Sequence, residues 1–135
     1  MQNKKILVVD DDPISRMLLS KVLDAHSYTY TMVSSAIEAF EALSDKSFSV
    51  ILMDIEMPDT DGLEAARFIR QLNADYFQNI PIIALTAHKM EDIQGLAVKS
   101  GMDKVISKPI DIDELLSALA STVNFSHHVD EKVIS

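Results

Sequence analysis

The sequence predicts a doubly wound α/β fold, in which helices cover both faces of a central parallel sheet. Five short apolar runs recur along the 135 residues, and an amphipathic segment follows each of them. The third run is apolar almost throughout, which is typical of a strand buried on both faces of a parallel sheet. Regular alternation of strand and helix patterns favours repeated βα units with right-handed crossovers.

The first βα unit is predicted from residues 5–25. Its strand, KILVVD at 5–10, is apolar until its last residue. Asp12 is a suitable N-cap, and Pro13 suits the first helical position, where no amide hydrogen is needed. The helical repeat then places one set of apolar residues on the face expected to point inward, namely Ile14, Met17, Leu18, Val22 and Ala25.

The second and third units repeat this arrangement. Residues 28–33 have the β-branched and aromatic content of a strand, and residues 48–54 are a continuous apolar run. Turn-forming residues at 57–62 (MPDTDG) separate the third strand from a helix expected over 62–73. Two capping pairs precede the two helices, Ser35 with Glu38 and Asp61 with Glu64. The second helix is expected to direct inward Ala36, Ile37, Phe40 and Leu43.

The fourth and fifth units complete the pattern. Residues 81–87 (PIIALTA) predict a buried strand, and the next helix is expected to end near Gly101. Residues 103–107 predict the fifth strand. The last helix should begin with the capping pair Asp111 and Glu114 and bury Ile112, Leu115, Leu119 and Val123. We therefore expect one domain over residues 1–123, followed by a flexible tail or truncated linker at 124–135.

The composition argues against several classes of function. The chain has no cysteine, which excludes disulfides and thiol catalysis. Its net charge of −9 opposes binding to nucleic acids and anionic membranes, and no local basic patch offsets that charge. No apolar run is long enough to cross a bilayer, and the N-terminus does not resemble a signal peptide. The expected location is the cytoplasm.

Polar residues gather where the predicted strands end. Parallel strands share one carboxyl edge, and ligands bind there, where the strand order reverses. The residues at these ends are Asp10 and Asp11 after the first strand, Asp54 after the third, Thr86 after the fourth and Lys108 after the fifth. Asp12 is better explained as a helix cap, but adjacent carboxylates at a strand end repel one another unless a cation is bound. Carboxylates beside a hydroxyl and a lysine suit Mg²⁺, which prefers oxygen ligands and often shares them with phosphate.

Four segments resemble the receiver domains of two-component response regulators and hybrid histidine kinases. They are VVDDDP (8–13), LMDIEMPDTDG (52–62), ALTA (84–87) and KPI (108–110). Their order and spacing over five βα units make the resemblance specific, and it covers residues 4–123. It implies the flavodoxin-like strand order 2-1-3-4-5. It also implies a phosphoacceptor module of a two-component or phosphorelay system.

The resemblance implies a role for each acidic residue at the edge. Asp54 would accept a phosphoryl group from a phosphohistidine. Asp11 and Asp54 would bind Mg²⁺ directly, together with the main-chain carbonyl of Glu56. Asp10 would act mainly through a water bound to the metal. The side chain of Glu56 is expected to face solvent.

Five further residues complete the implied site. Lys108 would pair with Asp54 at rest and with a phosphoryl oxygen afterwards, and Pro109 would follow a cis peptide bond that directs Lys108 into the pocket. Thr86 would donate its hydroxyl to the phosphoryl group and move its loop. His88, near the pocket mouth, is a candidate modulator that could touch the attacking water. Val105 stands where receivers often carry Tyr or Phe, so a weaker switch is expected there.

Three other functions use similar elements. An inactive receiver could serve as a scaffold or binding module, although every residue required for phosphorylation is present. A Mg²⁺-dependent phosphatase of the haloacid dehalogenase type has two aspartates on the first strand with one residue between them, whereas Asp54 lies on the third strand. A flavodoxin needs a phosphate-binding loop rich in Ser, Thr and Gly, and the DDDP segment would repel phosphate.

The expected partners follow from the implied chemistry. They are a histidine kinase, a histidine phosphotransfer domain or both, and neither nucleic acid nor membrane is expected to bind. The chain would catalyse its own phosphorylation and dephosphorylation rather than act as a turnover enzyme. We expect a monomer, either standing alone or belonging to a hybrid histidine kinase.

Overall fold

The computed structural model describes residues 5–45, 47–58 and 61–122, and it has the predicted doubly wound architecture. The strands are β1 (Lys5–Val9), β2 (Thr29–Val33), β3 (Val50–Asp54), β4 (Ile82–Thr86) and β5 (Lys104–Ser107). They form one parallel sheet in the order β2-β1-β3-β4-β5, as the resemblance implied. The strand order reverses between β1 and β3, so the carboxyl ends of these two strands border the crevice expected to bind ligands.

Six helices surround the sheet within the residues that the structure describes. They are α1 (Pro13–Ala25), α2 (Ala36–Leu43), α3 (Gly62–Gln71), α4 (Asp75–Asn79), α5 (Met90–Lys99) and α6 (112–122). The sequence analysis missed α4, because five residues are too few to show a helical repeat. This short helix is tied to the chain before β3 by the Tyr76 hydroxyl, which donates to the carbonyl of Phe48 at 3.0 Å and accepts from its amide at 3.1 Å.

Alternate residues of the strands feed two hydrophobic cores, one on each face of the sheet. In β1, Leu7 points to one core and Val8 to the other, as the two-residue repeat of a strand requires. The helices α2, α3 and α5 cover the core that contains Leu7. The helices α1 and α6 cover the core that contains Val8. The central strand β3 is buried at every position, which explains its continuous apolar run.

The predicted inward face of α1 is confirmed at Val22, which is buried, and at Leu18, which is partly buried against the core, but it is wrong at the other three positions. Ile14 is 77% exposed and Met17 is 59% exposed, and Ala25 is exposed as well. Besides Val22, the buried residues of α1 are Ser15, Leu19 and Leu23. This second stripe has the same helical spacing, and only contact with the sheet decides which of the two stripes turns inward.

Two other helices differ from the prediction at single positions. Ile37 of α2 is 68% exposed, and Ala39 is buried in its place. In α6, Leu115 and Leu119 are buried as expected, whereas Ile112 is exposed in the first turn. Val123 and the tail at 124–135 lie outside the described residues.

The predicted helix starts are confirmed. Asp12, Ser35, Asp61 and Asp111 each accept a hydrogen bond from the backbone amide three residues later, at 3.3, 3.1, 2.8 and 3.0 Å. The carboxylate of Glu38 accepts from the amide of Ser34 rather than from that of the cap residue. After α5, Gly101 adopts a φ of +94°, a backbone conformation that favours glycine at a helix end. None of the helices in the described part of the chain is long and apolar enough to cross a membrane.

Candidate functional site

Three aspartates meet at the reversal of strand order. Asp10 directly follows β1, and Asp54 is the last residue of the neighbouring β3. Asp10 is 0% exposed and Asp54 is 1% exposed, whereas Asp11 is partly exposed at the mouth. One carboxylate oxygen from each residue lies within 4.8 Å of the others. The strand ends therefore bring together the acidic side chains that the sequence analysis selected.

Arg16 holds the chain on one side of this pocket. Its guanidinium donates to the carbonyl of Asp10 at 2.7 Å and to that of Val33 at 3.1 Å. These carbonyls end β1 and β2, and the Asp10 amide also donates to the Val33 carbonyl. The sequence analysis missed Arg16, because α1 shows no charge pattern that marks this residue as different from a solvated arginine.

Gly62 brings α3 against the other side. A Cβ atom at this position would lie 2.4 Å from the Asp54 carbonyl oxygen and 2.9 Å from the Ile55 Cα. The Gly62 amide donates to the Ile55 carbonyl at 2.8 Å. Any larger residue would push the helix start away from the backbone of Asp54, so Gly62 is required by close approach. Its position after a turn-forming segment is the only sequence signal that could have identified it.

Lys108 lies between the two buried carboxylates. Its ammonium is 3.2 Å from Asp10 Oδ2 and 3.5 Å from Asp54 Oδ2, so the expected pairing with Asp54 is accompanied by a shorter contact with Asp10. Burial acts to lower the pKa of Lys108, but the two carboxylates outweigh burial and raise it. The ammonium is therefore charged. The peptide bond between Lys108 and Pro109 is cis, as expected.

Asp54 is the acid that the pocket perturbs most clearly. Burial, reinforced by the nearby charge of Asp10, raises the pKa of Asp54 from its ordinary 3.8 to about 7, although Lys108 opposes the shift. One ammonium does not compensate the charge of three adjacent carboxylates. A bound cation is thus needed for all three to be ionised together.

The donor atoms in the pocket fit a divalent cation that prefers oxygen ligands. Asp10 Oδ2 is buried and has no hydrogen bond, and the ammonium of Lys108 lies 3.2 Å from it as an ion-pair partner. Asp10, Asp11 and Asp54 together form the one group of possible metal ligands found among the described residues. Carboxylate oxygens at this spacing suit Mg²⁺. The contribution of the Glu56 carbonyl stays a prediction.

The expectation for the Glu56 side chain is wrong, because this side chain turns toward β4 instead of facing solvent. Its Oε2 accepts from the Thr86 hydroxyl at 2.6 Å, and its Oε1 accepts from the Ala87 amide at 2.9 Å. Burial acts to raise the pKa of Glu56, but these bonds and the contact with His88 outweigh burial and hold it below its usual range. The carboxylate is anionic and bridges the strand ends of β3 and β4.

Thr86 and His88 both contact this carboxylate. Thr86 is fully buried at the end of β4, and its hydroxyl oxygen also accepts from the His88 amide at 3.0 Å. The Nδ1 atom of His88 lies 2.7 Å from Glu56 Oε2, and its ring is half exposed. The contact that the structure assigns to the His88 ring is therefore with Glu56. A role toward the attacking water stays a prediction.

Comparison with known proteins agrees with this geometry. Residues 6–120 match the family of response regulator receiver domains. The chain belongs to this family. Over 85% of its length, the receiver domain is 35% identical to the sensor histidine kinase RcsC of Salmonella typhi, and it spans 12% of that kinase. The match therefore concerns one part of a much longer protein.

Two solved receiver domains are similar to this one in structure. The receiver domain of the sensor histidine kinase PA1611 from Pseudomonas aeruginosa, with a magnesium ion in its active site cleft, is 29% identical with a TM-score of 0.81. That match covers 91% of this chain and 99% of the other. The second is a co-crystal structure, from Saccharomyces cerevisiae, of the histidine phosphotransfer protein Ypd1 with the receiver domain of the response regulator Ssk1. It is 25% identical to this chain, with a TM-score of 0.78. It covers 87% of each chain.

Val105 lies away from the acidic pocket of the receiver domain. It is partly buried in β5, where it pairs with Ala84 and packs against one of the two cores. It also lines a groove of about 470 Å³ over β5, between Gln94 of α5 and Glu114 of α6. A valine leaves this groove open, whereas a larger ring would fill part of it. The effect on switching stays a prediction.

Proposed function

We propose that this receiver domain accepts a phosphoryl group on Asp54, with Mg²⁺ held by Asp11 and Asp54 and, through water, by Asp10. The convergence of three aspartates and one lysine at the strand reversal carries the proposal. The Glu56 carbonyl is the proposed third direct protein ligand. The Mg²⁺ in the cleft of the PA1611 receiver domain supports the same metal here.

In the proposed reaction, a carboxylate oxygen of Asp54 attacks the phosphorus atom of a phosphohistidine. The new O–P bond forms as the P–N bond breaks, and the electron pair stays on the imidazole nitrogen. Mg²⁺ would supply neutralisation of the phosphoryl charge. Lys108, 3.5 Å from Asp54 Oδ2 at rest, is close enough to contact a phosphoryl oxygen afterwards. Thr86 is the proposed hydroxyl donor to the same group.

The surface beside the pocket supports a helical protein partner as the phosphodonor. Ile14 and Met17 lie exposed on α1, which begins directly after the acidic segment. An apolar surface next to a charged pocket suits a partner that presents a histidine on an amphipathic helix. The partner we propose is a histidine kinase or a histidine phosphotransfer domain, and the Ypd1 complex of the Ssk1 receiver domain supports the second.

The wider setting follows from the same relatives. The similarity to one part of RcsC favours a hybrid sensor kinase as the protein in which this receiver domain works. We propose that residues 1–123 form the receiver unit, that residues 124–135 are a tail or linker and that the unit acts as a monomer. The proposed location is the cytoplasm, where histidine kinases obtain ATP.

Phosphorylation of Asp54 tests the central proposal. The wild-type chain and Asp54→Asn are incubated with Mg²⁺ and either acetyl phosphate or a phosphorylated histidine phosphotransfer domain, and intact mass is measured. We expect the mass of one phosphoryl group on the wild type and none on the variant. Glu64→Gln, which changes an exposed residue of α3, is the control and should be labelled normally. Undiminished labelling of Asp54→Asn would show that another residue is the acceptor.

A further inference from the structure

The Glu56 carboxylate links the phosphoacceptor strand to the loop that must respond to it. Its backbone amide donates to Asp54 Oδ1 at 3.1 Å, two residues before it in the chain. Its side chain reaches across to the end of β4, where it binds the Thr86 hydroxyl and the Ala87 amide. One residue therefore contacts Asp54 through its backbone and Thr86 through its side chain.

The two groups that Glu56 binds are suited to a phosphoryl group. A hydroxyl and a backbone amide that converge on one carboxylate form a small anion-binding pair. The Thr86 hydroxyl has a single hydrogen to donate, and at rest it donates that hydrogen to Glu56. The same hydrogen cannot be given to a phosphoryl oxygen until the bond to Glu56 breaks.

Glu56 is too strongly held for this contact to be an incidental surface bond. The distance from the Thr86 hydroxyl to the carboxylate is 2.6 Å, which is the distance of a charge-assisted hydrogen bond, the stronger kind. The ring of His88 adds a third contact at 2.7 Å. By contrast, the loop from 87 to 89 has no side-chain cap for α5, since Lys89 at the N-cap position forms none. The loop is held mainly through Glu56.

We propose that the Glu56 carboxylate is a tethered competitor of the phosphoryl group, which holds Thr86 and Ala87 in the resting state. This inference rests on the proposed phosphorylation of Asp54. The phosphoryl group adds negative charge close to Glu56, so both anions cannot keep the same donors. Release of Glu56 is therefore part of the conformational change. The strength of its hydrogen bonds to Thr86 and Ala87 determines how readily the loop between β4 and α5 responds.

The consequence is a measurable shift in the resting equilibrium. A ligand that binds only the released state has its affinity reduced by the fraction of the chain in that state. Charge-assisted hydrogen bonds are strong enough for their loss to raise this fraction about tenfold. A variant without the carboxylate should therefore bind a phosphoryl mimic more tightly, although it contributes no new contact to the mimic.

The test measures beryllofluoride binding at saturating Mg²⁺, by following backbone amide shifts in wild type, Glu56→Gln and Glu56→Ala. We expect Glu56→Ala to bind beryllofluoride about tenfold more tightly than wild type, and Glu56→Gln to lie between them. Without the mimic, the amide signals of residues 87–89 in both variants should already lie on the line from the free to the bound wild-type positions. If the Glu56 carboxylate only supported the local structure, its loss would move these signals away from that line, and this result would contradict the proposal.

Two further variants distinguish competition between Glu56 and the phosphoryl group for Thr86 from simple charge repulsion between the two anions. Glu91→Gln removes the same charge from an exposed position in the first turn of α5 and should bind as wild type does. Thr86→Ala removes the hydroxyl for which the two anions compete. In this background, Glu56→Ala should gain about threefold or less. A gain that is undiminished without the hydroxyl would mean that repulsion alone is responsible, and it would overturn the proposal.

The outcomes distinguish this inference from the proposed function. If wild type binds beryllofluoride and is labelled on Asp54, but the Glu56 variants bind no more tightly, the proposed competition by Glu56 is wrong. The proposed phosphorylation of Asp54 is then still supported. If wild type neither binds the mimic nor is labelled, the proposed function is wrong, and the proposed competition by Glu56 is wrong with it.

Discussion

The two edges of the sheet differ in whether their charged side chains are balanced by partners. At the amino ends of β4 and β5, the guanidinium of Arg70 bonds the carbonyls of Gly101 and Phe77, each at 2.9 Å, and the carboxylate of Asp103 at 3.1 Å. Asp103 in turn accepts from the Ile82 amide at 2.8 Å. One cation meets one carboxylate there, and their remaining bonds go to the backbone.

At the carboxyl edge, the charges are not balanced. Asp10, Asp11 and Asp54 lie together, the ammonium of Lys108 contacts Asp10 and Asp54, and a buried oxygen of Asp10 has no hydrogen bond. The amino edge thus stabilises the fold by itself, whereas the carboxyl edge is completed only by a ligand. A change at the first edge should alter stability without altering binding, and a change at the second should alter the binding of Mg²⁺.

Removal of Arg70 should have the largest effect on stability. Arg70→Ala removes the ion pair with Asp103 and two hydrogen bonds to backbone carbonyls, and we expect a loss of about 3 kcal/mol in the free energy of unfolding. Chemical denaturation measures this loss, and Arg67→Ala, which loses one bond to Ser100, is the control with an expected loss below about 1 kcal/mol. The Mg²⁺ affinity of folded Arg70→Ala should match that of wild type. A weakened affinity would show that the two edges are coupled.

Mg²⁺ should stabilise the chain through the carboxyl edge alone. A ligand that binds only the folded state adds about 2.7 kcal/mol at one hundred times its dissociation constant. Thermal melts with and without Mg²⁺ should therefore differ in wild type and in Arg70→Ala, and Asp11→Asn should reduce the difference. Superimposable wild-type curves would contradict the metal site.

The pH dependence without Mg²⁺ should show the same imbalance. The folded chain raises the pKa of Asp54 from 3.8 to about 7, mainly through burial, so it binds more protons than the unfolded chain between these values. The contribution of Asp54 to stability is present below about pH 4 and is lost as the pH rises through 7. We expect Tm to fall by about 4 °C or more between these limits, relative to Asp54→Asn. Parallel curves for the two proteins would show that Asp54 is not perturbed.

Replacement of Val105 should have the smallest effect. Val105→Tyr adds a ring beside the groove over β5, and a buried ring favours an inward state more than the short, stiff side chain of valine. Beryllofluoride should then shift the amide signals of α5, β5 and α6 more in the variant than in wild type. A full two-state shift in wild type, with nothing added by tyrosine, would contradict the expectation of a weak switch.

Much of the fold and of the acidic pocket could be predicted from the sequence, because both depend on local patterns. Within the described residues, apolar runs and capping residues located all five strands and five of the six helices. The predicted bounds differ from the observed ones by no more than about two residues. Parallel pairing then brings every strand end to one edge, so Asp10, Asp54, Thr86 and Lys108 could be grouped without coordinates. The strand order itself came from the family resemblance.

Tertiary structure alone decided which way side chains turn and what they reach. In α1, the stripe with Ile14 and Met17 and the stripe with Leu19 and Leu23 share one period, and the surface of the sheet selects the second. The Arg70 network and the bonds from Glu56 to Thr86 join residues about thirty positions apart. Sequence periodicity reports the local repeat of the backbone, but contacts at such separations depend on how the elements pack. The residues that balance one edge and hold the other at rest therefore became visible only in the folded chain.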